Sequence, residues 1–129
     1  MTPDKKTYWI EIAEEDFDTA KFLFSGGRWL YADYECHQAI EKMLKAAIAR
    51  DGVFPPKIHN LRRLAEIGEL WDKMSEEQKT FIDTLQPACI EARYPEYKEK
   101  INKLLGNATS CRQFIANTGE LLPWIKARL

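Results

Sequence analysis

Several things are scarce in this sequence, and each scarcity removes a class of function. No stretch approaches the ~18 consecutive apolar residues of a membrane span. The opening MTPDKKTYWIEIAEEDF also lacks an apolar core of signal-peptide length, so the expected location is the cytoplasm. Cysteine is limited to Cys36, Cys89 and Cys111, an odd number at long spacings with no CxxC. Reduced, partly buried thiols are expected, and no histidine stands at a spacing that would complete a zinc site. Glycine never forms a phosphate-binding loop, neither GxSxG nor HExxH occurs, and Gly26-Gly27 reads as a turn. There is no excess of either charge: the net value is −1, so nucleic-acid binding would need a local cationic patch. The acidic residues Glu14, Glu15 and Asp18 lack the Glu-x-x-His partners of a carboxylate metal centre, and neither a metal nor a cofactor is expected.

What is present is a set of helical patterns. The 129 residues, 45% hydrophobic and 30% charged, suit one domain spanning 1–129. At this length roughly two thirds of the unfolded surface can be buried. The pattern at Trp29–Gly52 dominates. Ala32, Cys36, Ala39, Ile40, Met43, Ala47 and Ile48 recur at helical spacing, and Leu30, Tyr34, His37, Glu41 and Leu44 form a second stripe beside them. Apolar contact on more than one side predicts a central helix. Gly52 and Pro55-Pro56 end it.

Thr2-Pro3-Asp4 reads as a helix start, and Thr7–Phe24 is amphipathic, with Trp9, Ile12, Ala13, Phe17, Ala20, Leu23 and Phe24 on one side. The short Gly26-Gly27 link predicts that this helix and the central one lie antiparallel. A third helix is expected over Ile58–Trp71, weakened by Gly68. Ser75-Glu76-Glu77-Gln78 is a capping box that opens a fourth, with a kink or break at Pro87. Arg93-Tyr94-Pro95-Glu96-Tyr97 breaks the pattern, and the last segment restarts near Asn107 or Thr109, with Gly119 and Pro123 expected to divide it in two. No run alternates convincingly at period two. The predicted architecture is all-α, an antiparallel up-and-down bundle of four to five helices.

Few residues could carry chemistry. His37 and Gln38 interrupt the central stripe: either a satisfied polar pair inside the bundle, or a strip lining a groove or dimer seam. KIHNLRR at 57–63 is the densest cationic patch. His59 reads as the start of a helix whose free N–H groups, with Arg62 and Arg63, could hold an anion; the alternative is capping and surface solvation. Arg93 with Tyr94 and Tyr97 could read phosphate and stack on a base, or form a rigid turn paired with Glu91 or Glu96.

Four segments in this order, AEEDFDTAKFLF, ADYECHQAIEKMLKAAI at Ala32–Ile48, IHNLRRL at Ile58–Leu64 and ARYPEY at Ala92–Tyr97, resemble the HEPN domain (higher eukaryotes and prokaryotes nucleotide-binding). The resemblance spans nearly the whole chain. It implies a dimerising helical bundle, a minimal nucleotidyltransferase as partner in a prokaryotic toxin–antitoxin-type system, and in many members metal-independent ribonuclease activity. The family's nuclease site is an arginine followed at roughly four to six residues by a histidine. Here eight residues separate Arg28 from His37 and Arg50 from His59, and no histidine follows Arg93. That pair cannot be carried over.

The expectation is therefore a homodimeric nucleotide- or partner-binding module with contacts at His37, His59, Arg62, Arg93, Tyr94 and Tyr97. The first alternative is an endoribonuclease with a non-standard site built on His59 and Arg93, acting on RNA. The second is a non-catalytic scaffold.

Overall fold

A computed structural model describes residues 5–89 and 105–129. Among these residues there are five α-helices and no strand. They are α1 (Lys5–Ser25), α2 (Trp29–Ala49), α3 (Leu61–Ile67), α4 (Glu76–Leu85) and α5 (Ala108–Lys126). Short 3₁₀ turns at Trp71–Lys73 and Gln86–Cys89 flank α4. The helix start expected at Thr2-Pro3-Asp4 and the ARYPEY break lie outside the described residues.

The first hairpin forms as its turn chemistry requires. Arg28 N–H donates to Leu23 O at 2.9 Å and Gly27 N–H to Phe24 O at 3.1 Å, while Gly27 takes φ 74°, a left-handed value that a side chain would resist. The chain reverses and α2 packs along α1. Alanines at the contact, Ala13 and Ala20 on α1 and Ala32, Ala39 and Ala46 on α2, are fully buried.

From Ala32 onward nearly every residue of α2 is buried, because α1, α3, α5 and the turn after α4 all touch it. Ile40, Leu44, Leu61, Leu64, Ile82, Leu85 and Ile125 are sealed from solvent. Each such side chain contributes roughly 1.5–3 kcal/mol relative to leaving it in water. The expectation of a central helix holds, and its continuous burial explains the doubled stripe.

Two expected boundaries move. The third helix does not run from Ile58 to Trp71. Asn60 caps it, its Oδ1 accepting from Arg63 N–H at 2.9 Å, so Ile58 and His59 belong to the approach rather than to the helix. It stops at Ile67 because Glu69 turns left-handed at φ 62° and Leu70 N–H reaches back to Ala65 O at 2.8 Å, while Gly68 packs against α2, where an added Cβ would lie 3.4 Å from Ala47 Cβ. The final helix is continuous where a division was expected. Asn107 Oδ1 caps it at Ser110 N–H, and it passes through both Gly119 and Pro123. Ala127 N–H still reaches Pro123 O at 2.9 Å, so helical pairing resumes beyond the proline. At Gly119 α5 packs beside Phe17 of α1, where an added Cβ would stand 3.4 Å from the ring, an ordinary contact.

The two readings at α4 hold. Ser75 and Gln78 exchange both bonds of a capping box, and the α-helix gives way at Gln86, one residue before Pro87.

Candidate functional site

Helical spacing places Asp33, His37, Glu41 and Lys45 in one column along α2. All four are buried. Burying such groups is expensive unless they find partners, and the column divides on that point.

Glu41 is the partnered member. Its Oε1 accepts from His59 Nδ1 at 2.9 Å, and its Oε2 accepts from Lys45 Nζ at 3.2 Å. Lys42 Nζ stands 3.8 Å from the same Oε2 and 3.9 Å from Asp16. Burial alone would raise the Glu41 pKa; the His59 hydrogen bond and the charges of Lys45 and Lys42 outweigh it and hold the carboxyl below its ordinary value. An ionised carboxylate is thus enclosed in the bundle and aimed at a histidine from another segment.

His59 is the outward half of this pair, its side chain 68% exposed. Its backbone is fixed from the other side. Gln86, in the turn after α4, donates through Nε2 to His59 O at 3.2 Å and accepts through Oε1 from Leu61 N–H at 2.8 Å. Two of the N–H groups that were expected to be free at this helix start are already used within the chain. Leu61 N–H is taken by Gln86 and Arg63 N–H by Asn60.

His37 lies inside. Its Nδ1 is 3.9 Å from Glu41 Oε1, too far for a hydrogen bond, and neither ring nitrogen has a partner. Burial drives its pKa down to about 4, only partly opposed by the Glu41 charge. The Gln38 side chain and the His59 backbone both favour the charged form of the ring, so both lie beside it in the bundle. Asp33, one turn earlier, is also enclosed with both carboxylate oxygens unpartnered, beside Cys111 of α5. Burial pushes it up to about 7. Thr118 Oγ1, also unpartnered, and Cys36 complete this α2–α5 seam, and burial raises Cys36 to about 12, which makes it an inert thiol.

Arg62 is exposed but engaged: its guanidinium carbon stands 4.8 Å from the Trp71 ring centroid and its Nε 3.9 Å from Glu66. Lys79 faces the same ring at 5.4 Å. Arg93, Tyr94 and Tyr97 lie outside the described residues. The structure therefore joins His59 to the His37 column and leaves Arg62 on the adjoining surface.

Two members of the site escaped sequence reasoning. Glu41 stood one helical turn from His37, a usable signal, but its partner is 18 residues away across a loop. Gln86 gave no signal beyond its place before Pro87. Among the described residues no group of three or more His, Cys, Asp or Glu side chains could hold a metal ion. None of the described helices is long and apolar enough to cross a membrane.

Against known proteins, the HEPN domain model matches residues 7–128. The crystal structure of TT1696 from Thermus thermophilus superposes with a TM-score of 0.82 at 17% identity, covering 98% of this chain and 100% of that one. ST0689, described as an archaeal HEPN homologue, superposes with a TM-score of 0.72 at 20% identity, covering 98% of each chain. No curated protein matches. The structural likenesses establish the fold, and the family match over almost the full length establishes more: the chain belongs to the HEPN domain family.

Proposed function

We propose that this HEPN domain binds a nucleotide or similar phosphate-bearing ligand on the face formed by residues 57–63. It does so as a homodimer and as partner of a minimal nucleotidyltransferase in a prokaryotic toxin–antitoxin-type system. The observation that carries the reading is the His59–Glu41 bond, 2.9 Å long, which presents an oriented imidazole to solvent. Lys57, Arg62 and Arg63 are exposed around it in sequence, and a cationic surface of this kind attracts phosphate. Arg93, Tyr94 and Tyr97 remain candidate contacts. His37 contributes from beneath rather than by touching the ligand.

Dimerisation rests on the family resemblance; the exposed apolar side chains Tyr31 and Phe54 stand at opposite ends of α2 and form no single patch. Light scattering is expected to return twice the 15.0 kDa chain mass.

Calorimetric titration with ATP tests the site. The wild type binds, and His59→Ala weakens binding about tenfold, the factor associated with one charge-assisted hydrogen bond. Absence of binding, or equal affinity in the variant, refutes the assignment. The same dyad favours one second reading, a ribonuclease in which His59 takes a proton from the attacking hydroxyl. RNA cleavage in EDTA that disappears in His59→Ala would replace the binding reading with that one. Dimers that neither bind ATP nor cut RNA would leave a scaffold.

A further inference from the structure

The two nitrogens of His59 have different fates. Nδ1 faces Glu41 Oε1, and because Lys45 and Lys42 keep that carboxylate ionised, the shared proton belongs to Nδ1. In the neutral ring the free lone pair is then on Nε2. Gln86 fixes the backbone just after the ring, through His59 O and Leu61 N–H, and the buried column supports it from below. This is a held imidazole, not a loose surface side chain, yet it is 68% exposed.

That exposure distinguishes between uses. A catalytic base works best where water is excluded and a substrate can be enclosed. Among the described residues, grooves lie away from His59: one of about 420 Å³ between α4 and α5 is lined by Glu76, Phe81 and Phe114, and another between α1 and α5 by Phe17, Met43 and Pro123. An oriented, open nitrogen beside cations suits direct attack on a small anionic electrophile. A carboxylate on the far nitrogen strengthens such a nucleophile, by the same logic that activates histidine in hydrogen-bonded dyads.

We propose that His59 is a phosphoryl-acceptor site, its Nε2 taking a phosphoryl group from a small acyl phosphate, with Glu41 as the positioning residue. The Nε2 lone pair forms the N–P bond. The bond from phosphorus to the acyl oxygen breaks, and its electron pair leaves with the carboxylate. Nδ1 keeps its proton and stays hydrogen-bonded to Glu41, whose negative charge compensates the positive charge that the ring acquires. The step balances with no further reactant. It rests on the reading above only in using the same anion-attracting face.

The test incubates the full chain with acetyl phosphate at neutral pH and maps phosphoryl groups by mass spectrometry under non-acidic conditions. The expected result is one acid-labile phosphoryl group per chain, on His59, formed faster than on free N-acetylhistidine. His37, enclosed in the bundle, stays unmodified. Glu41→Gln slows the reaction about tenfold, since a charge-assisted hydrogen bond becomes a neutral one. Urea-unfolded wild type falls to the rate of N-acetylhistidine, a comparison that holds even if the variant does not fold. Labelling of folded His59 no faster than N-acetylhistidine overturns the proposal, as does an undiminished rate in a folded Glu41→Gln protein. ATP calorimetry on the same preparations separates the two ideas. Phosphorylation without ATP binding refutes only the binding reading, and ATP binding without phosphorylation refutes only this one.

Discussion

Replacing Asp33 by asparagine should stabilise the protein, and by an amount that depends on pH in a set direction. Asp33 is sealed between α2 and α5 with neither carboxylate oxygen hydrogen-bonded. Among the described residues its titration answers to burial and, more weakly, to the Cys111 thiol, with no lysine or arginine contributing. Burial therefore raises its pKa from 3.8 in the unfolded chain to about 7. A group whose folded pKa is raised favours folding below its unfolded pKa and loses that advantage as pH rises through the folded value. At 1.36 kcal/mol per pH unit, the loss grows between about pH 4 and pH 7 and levels off at about 4 kcal/mol. Asparagine keeps the shape and cannot ionise. Urea denaturation of both proteins at about pH 4 and about pH 8 should give nearly equal stabilities at the lower pH and a more stable variant at the higher. Other titrating groups cancel in the difference. A difference that does not change with pH, or that favours the wild type at high pH, would refute the account of Asp33 as an uncompensated buried acid.

His37 predicts the opposite slope. With its pKa depressed from 6.5 to about 4, it supports folding above about pH 6.5 and loses that support as pH falls toward 4, by up to about 3 kcal/mol. In His37→Met the urea midpoint should vary less over that acid range than in the wild type; an unchanged acid sensitivity would show that another group carries it. Ser75→Ala removes the acceptor for Gln78 N–H and one half of the capping box. About 1 kcal/mol of stability should go with it, measured by thermal or urea unfolding.

How much could be read from the sequence followed how local the cause was. Gly26-Gly27, the Ser75 box and Asn107 act within a few residues, so their patterns named the structures they make. The burial of α2 was legible because two apolar stripes on one helix demand two sets of neighbours. The start of α3 was misplaced because Ile58 continued an apolar pattern that Asn60 overrode by taking Arg63 N–H. The expected division of α5 assumed that a glycine and a proline would each break a helix, whereas α5 packs along α2 through both, and Ala127 N–H still reaches Pro123 O. The site was half legible. His59 stood out as one of two histidines within a cationic run, but its tie to Glu41 crosses 18 residues and its tie to Gln86 crosses 27. Distances of that kind are set by packing, not by a motif.

Glu41 divides its two oxygens between unlike tasks, and this couples two selective pressures in one side chain. One oxygen serves the interior as counter-ion to Lys45; the other reaches the molecular face through His59. Buried ion pairs are often replaceable by apolar residues of similar volume at no loss of stability. A lineage, or an engineer, selecting only for heat resistance would find Glu41 and Lys45 attractive to exchange for a hydrophobic pair. The exchange would leave the fold sound and His59 untethered. Persistence of the carboxylate under such selection would be a direct report that the exposed ring is in use.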